Sequence, residues 1–79
     1  MRRIVSTYSA HRVIALTING EARSFAASLT VAQLIEQLEL AGKRVALERN
    51  GEIVPRGQFA QQQLLDGDRL EIVVAVGGG

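Results

Sequence analysis

Gly77, Gly78 and Gly79, the last three residues, are the part of this sequence best suited to chemistry. A run without Cβ atoms adopts extended or positive-φ backbone freely and has a minimal cross-section, so it can thread a narrow channel in another protein. The expected free end is a carboxylate. Ionised at neutral pH, that group is inert as an acyl donor until one oxygen becomes a good leaving group, for example by adenylation with ATP. A terminal acyl-adenylate then accepts sulfur or is passed to an amine. Gly79 is the expected reactive residue, with Gly78 beside it and Gly77 and Val76 as the stretch lying in a partner's channel.

Side chains offer no competing centre. The only histidine is His11, and there is no cysteine, so a triad lacks its base and its thiol nucleophile, and thiolate metal sites and disulfides are excluded. Asp66-Gly67-Asp68 comes nearest to a ligand cluster, but it reads as a turn that needs no metal. The terminal glycines are not expected to form a phosphate-binding loop, which requires a helix directly after it. We therefore expect no catalytic residue, no metal and no bound cofactor, with any ATP consumed by a partner. The net charge of +1 gives no field suited to nucleic acid. The longest apolar run, Ile72 to Val76, is too short to span a bilayer, and no signal-like segment follows Arg2 and Arg3; a cytoplasmic, membrane-free protein is expected.

The elements that must position the tail are legible. With 79 residues the chain fits one small domain. Val13 to Ile18 alternates Ile14, Leu16 and Ile18 with Val13, Ala15 and Thr17, predicting a strand that turns at Asn19-Gly20 into a second strand, Glu21 to Phe25. Thr30 and Gln33 form a capping-box signal. The helix it opens buries Val31, Leu34, Ile35 and Leu38 and should end at Gly42. Val45 to Leu47, the pair Asn50-Gly51, and Glu52 to Val54 predict a second hairpin stopped by Pro55. Phe59, Leu64 and Leu65 read as core anchors beneath an irregular segment, and Asp66-Gly67-Asp68 leads into a last strand, Arg69 to Val76.

This order predicts an α+β fold, a mixed sheet with one main helix packed on one face. The first and last strands are expected parallel and adjacent at its centre. Residues 1–12 form an N-terminal arm, 13–76 the domain, and 77–79 a flexible glycine tail. On the sheet face opposite the helix, Val73 and Ala75 beside Glu71 form a candidate partner surface.

Residues 13–79 resemble the ThiS family of sulfur carriers in thiamine biosynthesis, within the ubiquitin-like β-grasp group. The resemblance rests on Ile18-Asn19-Gly20-Glu21, Thr30-Val31, Asn50-Gly51-Glu52-Ile53-Val54-Pro55-Arg56 with Phe59 three residues on, and Asp66-Gly67-Asp68 ahead of the terminal glycines. It implies that the Gly79 carboxylate is adenylated by an E1-like, ThiF-type adenylyltransferase. The carboxylate then becomes a thiocarboxylate, loaded from a sulfur donor protein, and serves a ThiG-type thiazole synthase as sulfur source. The chain would be a protein cosubstrate, not an enzyme. Relatives leave two alternatives open: the small subunit of molybdopterin synthase, and a ubiquitin-like modifier conjugated through Gly79. An RNA-associated binding module ranks last, since it leaves the glycines without a purpose.

Overall fold

The computed structural model describes residues 12–75. The expectations for the arm, residues 1–11, and for Val76, Gly77, Gly78 and Gly79 lie outside the described residues. The elements are β1 (Val13–Ile18), β2 (Glu21–Ala26), α1 (Val31–Gln37), β3 (Val45–Arg49), β4 (Glu52–Ile53), a 3-10 turn (Arg56–Gln58) and β5 (Arg69–Val74).

The strands form one five-stranded sheet in the order β2-β1-β5-β3-β4. β1 and β5 are parallel neighbours at its centre, and the other pairings are antiparallel. Each hairpin turns where an Asn-Gly pair takes positive φ at both positions, Asn19 at 51° with Gly20 at 86°, and Asn50 at 52° with Gly51 at 89°. That is the backbone a two-residue type I′ loop requires.

Alternation then decides what is buried. Ile14, Leu16 and Ile18 of β1, Leu70 and Ile72 of β5 and Leu47 of β3 point to one face. There they meet Val31, Leu34 and Ile35 of α1 and Leu29, Val54 and Leu64 from the connections. A single apolar layer between sheet and helix removes these side chains from water, at about 25 cal/mol per Å² of apolar surface. The arrangement is the ubiquitin-like β-grasp.

α1 starts as its capping box dictates. The Gln33 N–H donates to Thr30 Oγ1 at 3.1 Å, and the Thr30 N–H donates to Gln33 Oε1 at 2.9 Å. Its end differs from the sequence reading. The helix stops at Gln37, and Glu39, at φ 62°, occupies the left-handed position assigned above to Gly42. The Glu39 N–H donates to the Glu36 carbonyl and the Leu40 N–H to the Ile35 carbonyl, both at 2.9 Å, which is a Schellman closure. The closure brings Leu40 onto the core. Gly42, at φ 84°, serves the next turn instead. Burying Leu40 thus stops the helix earlier than the glycine would, at the cost of placing a residue with a Cβ in left-handed backbone.

Leu65 is a second correction. Leu64 is buried and Phe59 half-buried, but Leu65 is 58 % exposed. Gln63 bridges to Thr30 in extended backbone, so Leu64 faces inward and its successor faces out. Val54, expected within the fourth strand, lies just beyond β4, although its N–H still donates to the Leu47 carbonyl at 2.9 Å and its side chain is buried.

Left-handed backbone costs a residue with a Cβ about 1–2 kcal/mol, partly offset by the extra unfolded-state freedom of glycine. Glu39→Gly should therefore stabilise the domain by about 0.5–1 kcal/mol, while Gly42→Ala should destabilise it. Urea midpoints test both, and a midpoint for Glu39→Gly at or below that of the parent would refute the strain at this position.

Candidate functional site: the exit of the central strand

β5 delivers the chain to its final residues, so the groups that fix β5 fix where the tail leaves the domain. On its β3 side the ladder runs from Arg49 opposite Leu70 to Val45 opposite Val74. It is extended at the far end by the Ala75 N–H, which donates to the Arg44 carbonyl at 2.9 Å. At the near end Asn50 takes both backbone groups of Arg69. Its own N–H donates to the Arg69 carbonyl at 2.7 Å, and its Oδ1 accepts from the Arg69 N–H at 2.9 Å.

The β1 side is shorter. β1 pairs with β5 only at Thr17 with Arg69 and Ile18 with Leu70 before the chain turns away. Asn19 continues the ladder with its side chain. Its N–H donates to the Leu70 carbonyl at 2.9 Å; its Oδ1 accepts from the Ile72 N–H at 2.7 Å, and its Nδ2 donates to the Ile72 carbonyl at 3.1 Å. A side-chain amide thus replaces one residue of strand. The two turn asparagines serve the hairpins by tolerating positive φ and serve β5 through their amides.

Asp68 anchors the start of β5. It is 5 % exposed, and its Oδ2 accepts from Arg49 Nε at 2.7 Å and from the Leu65 N–H at 2.8 Å, while Oδ1 accepts from Asn50 Nδ2 at 3.0 Å. Burial works against its ionisation, but the Arg49 guanidinium, the Leu65 N–H and the Asn50 amide outweigh it and hold the carboxyl below its ordinary value. Asp66, its companion in the turn, accepts the Ala15 N–H at 2.7 Å on Oδ1. Both carboxylates of the Asp66-Gly67-Asp68 turn are therefore occupied by the fold, and no cluster of three or more His, Cys, Asp or Glu side chains occurs among the described residues.

Of the residues singled out by sequence, Val73 and Ala75 lie on the sheet face away from α1, where Val73 is 63 % exposed and Ala75 is exposed. Ala46, paired with Val73, shares that face. Sequence reasoning missed the amide bonds of Asn19 and Asn50 and the buried pairing of Asp68 with Arg49. Both Asn-Gly pairs were visible, but hairpin logic explains them fully, so nothing pointed to a second role.

A β-grasp domain whose central strand is clamped on both sides and runs out toward a glycine terminus defines the class of small ubiquitin-like carrier domains. Similarity narrows this. The ThiS family model matches residues 16–79. The chain is 39 % identical over 64 residues to the sulfur carrier protein ThiS of Escherichia coli, a match covering 81 % of this chain and 97 % of that protein. It is 53 % identical over 64 residues to a thiazole synthase of Paramagnetospirillum magneticum, but there it spans only 20 % of the relative's length. The crystal structure of the ThiS thiamine biosynthesis protein of Geobacter metallireducens superposes with a TM-score of 0.72 at 36 % identity, covering 84 % of this chain and 100 % of that one. The chain belongs to the ThiS family.

Removing the Asp68 carboxylate leaves the Arg49 guanidinium and two N–H donors without their acceptor, so Asp68→Ala should cost about 2–4 kcal/mol. Because the folded pKa is depressed, this stabilisation is fully present above the ordinary value of 3.8 and fades as pH falls below it. Melting curves followed between neutral pH and about pH 2 should show a shallower acid limb in Asp68→Asn than in the parent, and parallel limbs would refute the assignment.

Proposed function

We propose that this chain is a sulfur carrier for thiamine biosynthesis and that the sulfur is held on its main chain, as a thiocarboxylate at Gly79. The observation that carries the reading is the family match, which extends over residues 16–79 and so takes in Gly77, Gly78 and Gly79. Carboxylate chemistry suits the sequence: the chain has no cysteine to hold sulfur as a persulfide, and a terminal carboxylate becomes an acyl donor once adenylated.

In this reading an E1-like, ThiF-type adenylyltransferase uses ATP to convert the Gly79 carboxylate to an acyl-adenylate with release of pyrophosphate. Sulfide-level sulfur delivered by a donor protein attacks the acyl carbon, forming the C–S bond as the bond to AMP breaks, with no change of oxidation state. The resulting thiocarboxylate is the nucleophile that a ThiG-type thiazole synthase draws on for its ring. The segment of the Paramagnetospirillum magneticum protein that this chain resembles sits in a protein named thiazole synthase, which supports a working partnership between the two activities. Gly77 and Val76 thread the partner's channel with Gly78 and Gly79 at its end, and Val73 and Ala75 belong to the contact face. The chain binds no cofactor itself and acts as a cosubstrate in the cytoplasm.

Incubation with ATP, the adenylyltransferase and a sulfur source should raise the intact mass by the difference between sulfur and oxygen, located on the C-terminal peptide. Deleting Gly79 should abolish the gain and leave the melting temperature unchanged, since the residue lies beyond β5. Isopeptide-linked adducts that resist thiol reagents, in place of the mass gain, would overturn the carrier reading in favour of a protein modifier.

A further inference from the structure

Asn19 and Asn50 each precede a glycine in a two-residue turn, and each sits in left-handed backbone. An Asn-Gly pair carries a chemistry of its own. The backbone nitrogen of the glycine, unhindered by a Cβ on its own residue, attacks the asparagine Cγ. A C–N bond forms, the Cγ–Nδ2 bond breaks, and ammonia departs to leave a five-membered imide. Water then opens the imide at either carbonyl and gives aspartate or isoaspartate, with no change of oxidation state. Water is the one co-reactant.

Hydrogen bonding decides which of the two pairs reacts. Attack requires the amide to swing off its partners and the turn to leave its left-handed conformation. At Asn50, Nδ2 donates to Oδ1 of the buried Asp68 carboxylate at 3.0 Å, and Oδ1 accepts from the Arg69 N–H at 2.9 Å. A hydrogen bond to an ionised group is roughly twice as strong as a neutral one, so this amide opens less often. The Asp68 charge also opposes the negative charge that develops as the glycine nitrogen attacks. At Asn19 both amide bonds go to neutral backbone, the Ile72 carbonyl at 3.1 Å and the Ile72 N–H at 2.7 Å. Asn19 borders a cavity of about 270 Å³ with Ile18, Arg23, Leu38 and Val74, which has room for the rotated amide and for water. Asp66-Gly67 is open to a related attack, but the Gly67 N–H donates to the Ala15 carbonyl at 2.7 Å, and that bond restrains the nucleophile.

We propose that Asn19 is a site of spontaneous deamidation, and that its conversion releases the part of β5 that leads to the tail. Aspartate at this position has no N–H for the Ile72 carbonyl and sets a negative oxygen against it. Isoaspartate adds a methylene to the main chain of a two-residue loop and carries the side chain away from Ile72. β1 pairs with β5 only as far as Ile18 with Leu70, so the amide is what holds this edge of Ile72. Resting on the carrier reading, the aged chain is loaded with sulfur more slowly than the fresh one.

The test keeps the full-length chain folded in warm, mildly alkaline buffer and follows its tryptic peptides by mass spectrometry. Asn19 falls in residues 13–23 and Asn50 in residues 50–56, so the two are read separately. The first peptide should show the amide-to-acid mass change at least ~tenfold faster than the second, with part of the product labelled by an isoaspartyl methyltransferase. In urea the two rates should converge. Equal rates in the folded chain, or faster reaction at Asn50, overturn the proposal. In the aged protein the Ile72 amide should exchange with solvent at least ~fivefold faster than in the parent. The Val54 amide, held by the Leu47 carbonyl at 2.9 Å, should keep its rate. An unchanged Ile72 amide overturns the release of β5. Asn19→Asp should gain sulfur more slowly than the parent, and equal loading overturns the effect on the carrier. A parent that gains no sulfur at all overturns the carrier reading, while peptide mapping and exchange still decide the deamidation site.

Discussion

The hydrogen bonding of β5 is the constraint on which the rest of the structure depends. A central strand must satisfy donors and acceptors on both edges, because a buried backbone group left without a partner costs about as much as a lost hydrogen bond. β3 satisfies one edge over five residue pairs, Arg49 with Leu70 to Val45 with Val74. β1 leaves after two pairs, and the Asn19 amide supplies the N–H and C=O partners for Ile72 that the departed strand cannot. A strand anchored in this way carries its last residues to the rim of the sheet in a fixed direction.

The same economy governs the turn ahead of β5. Asp68 gathers the Leu65 N–H, the Asn50 amide and the Arg49 guanidinium into one buried point. Those donors come from the β3–β4 hairpin and from the connection that bonds to the start of α1. Asn50 belongs to both devices, since its Oδ1 holds Arg69 while its Nδ2 holds Asp68. In a domain with one apolar layer, a few polar side chains that each join two segments contribute an appreciable share of a net stability on the order of 5 kcal/mol.

How much of this the sequence disclosed follows from how local each cause is. β1, both Asn-Gly turns and the capping box at Thr30 and Gln33 depend on neighbours in sequence, and they were legible. The adjacency of β1 and β5 followed from crossover handedness and from their apolar content. The end of α1 was misplaced because Gly42 has the better intrinsic preference, whereas Glu39 is driven into left-handed backbone by the burial of Leu40, a tertiary effect. Leu65 was misread because adjacent leucines in extended backbone cannot both face the core, and the choice between them depends on the bridge from Gln63 to Thr30. The pairing of Asp68 with Arg49 spans 19 residues and has no local signature. That Val73 and Ala75 face away from the helix followed from alternation, whereas their company there needed the register of β3 on β5, which sets Ala46 against Val73.

The division of labour in this molecule follows from its size. A chain of 79 residues has little interior in which to desolvate and position a set of catalytic side chains. A reactive group on the main chain, as proposed above for Gly79, would require none, since its activation would be supplied by the enzyme that receives it. On that proposal, what remains for the domain is to be recognised and to present the terminus, and both tasks fall to the strands. The helix side of the sheet is consumed by the core, which leaves the outer face for recognition. The exposed alternate residues of β5, Glu71, Val73 and Ala75, belong to that outer face.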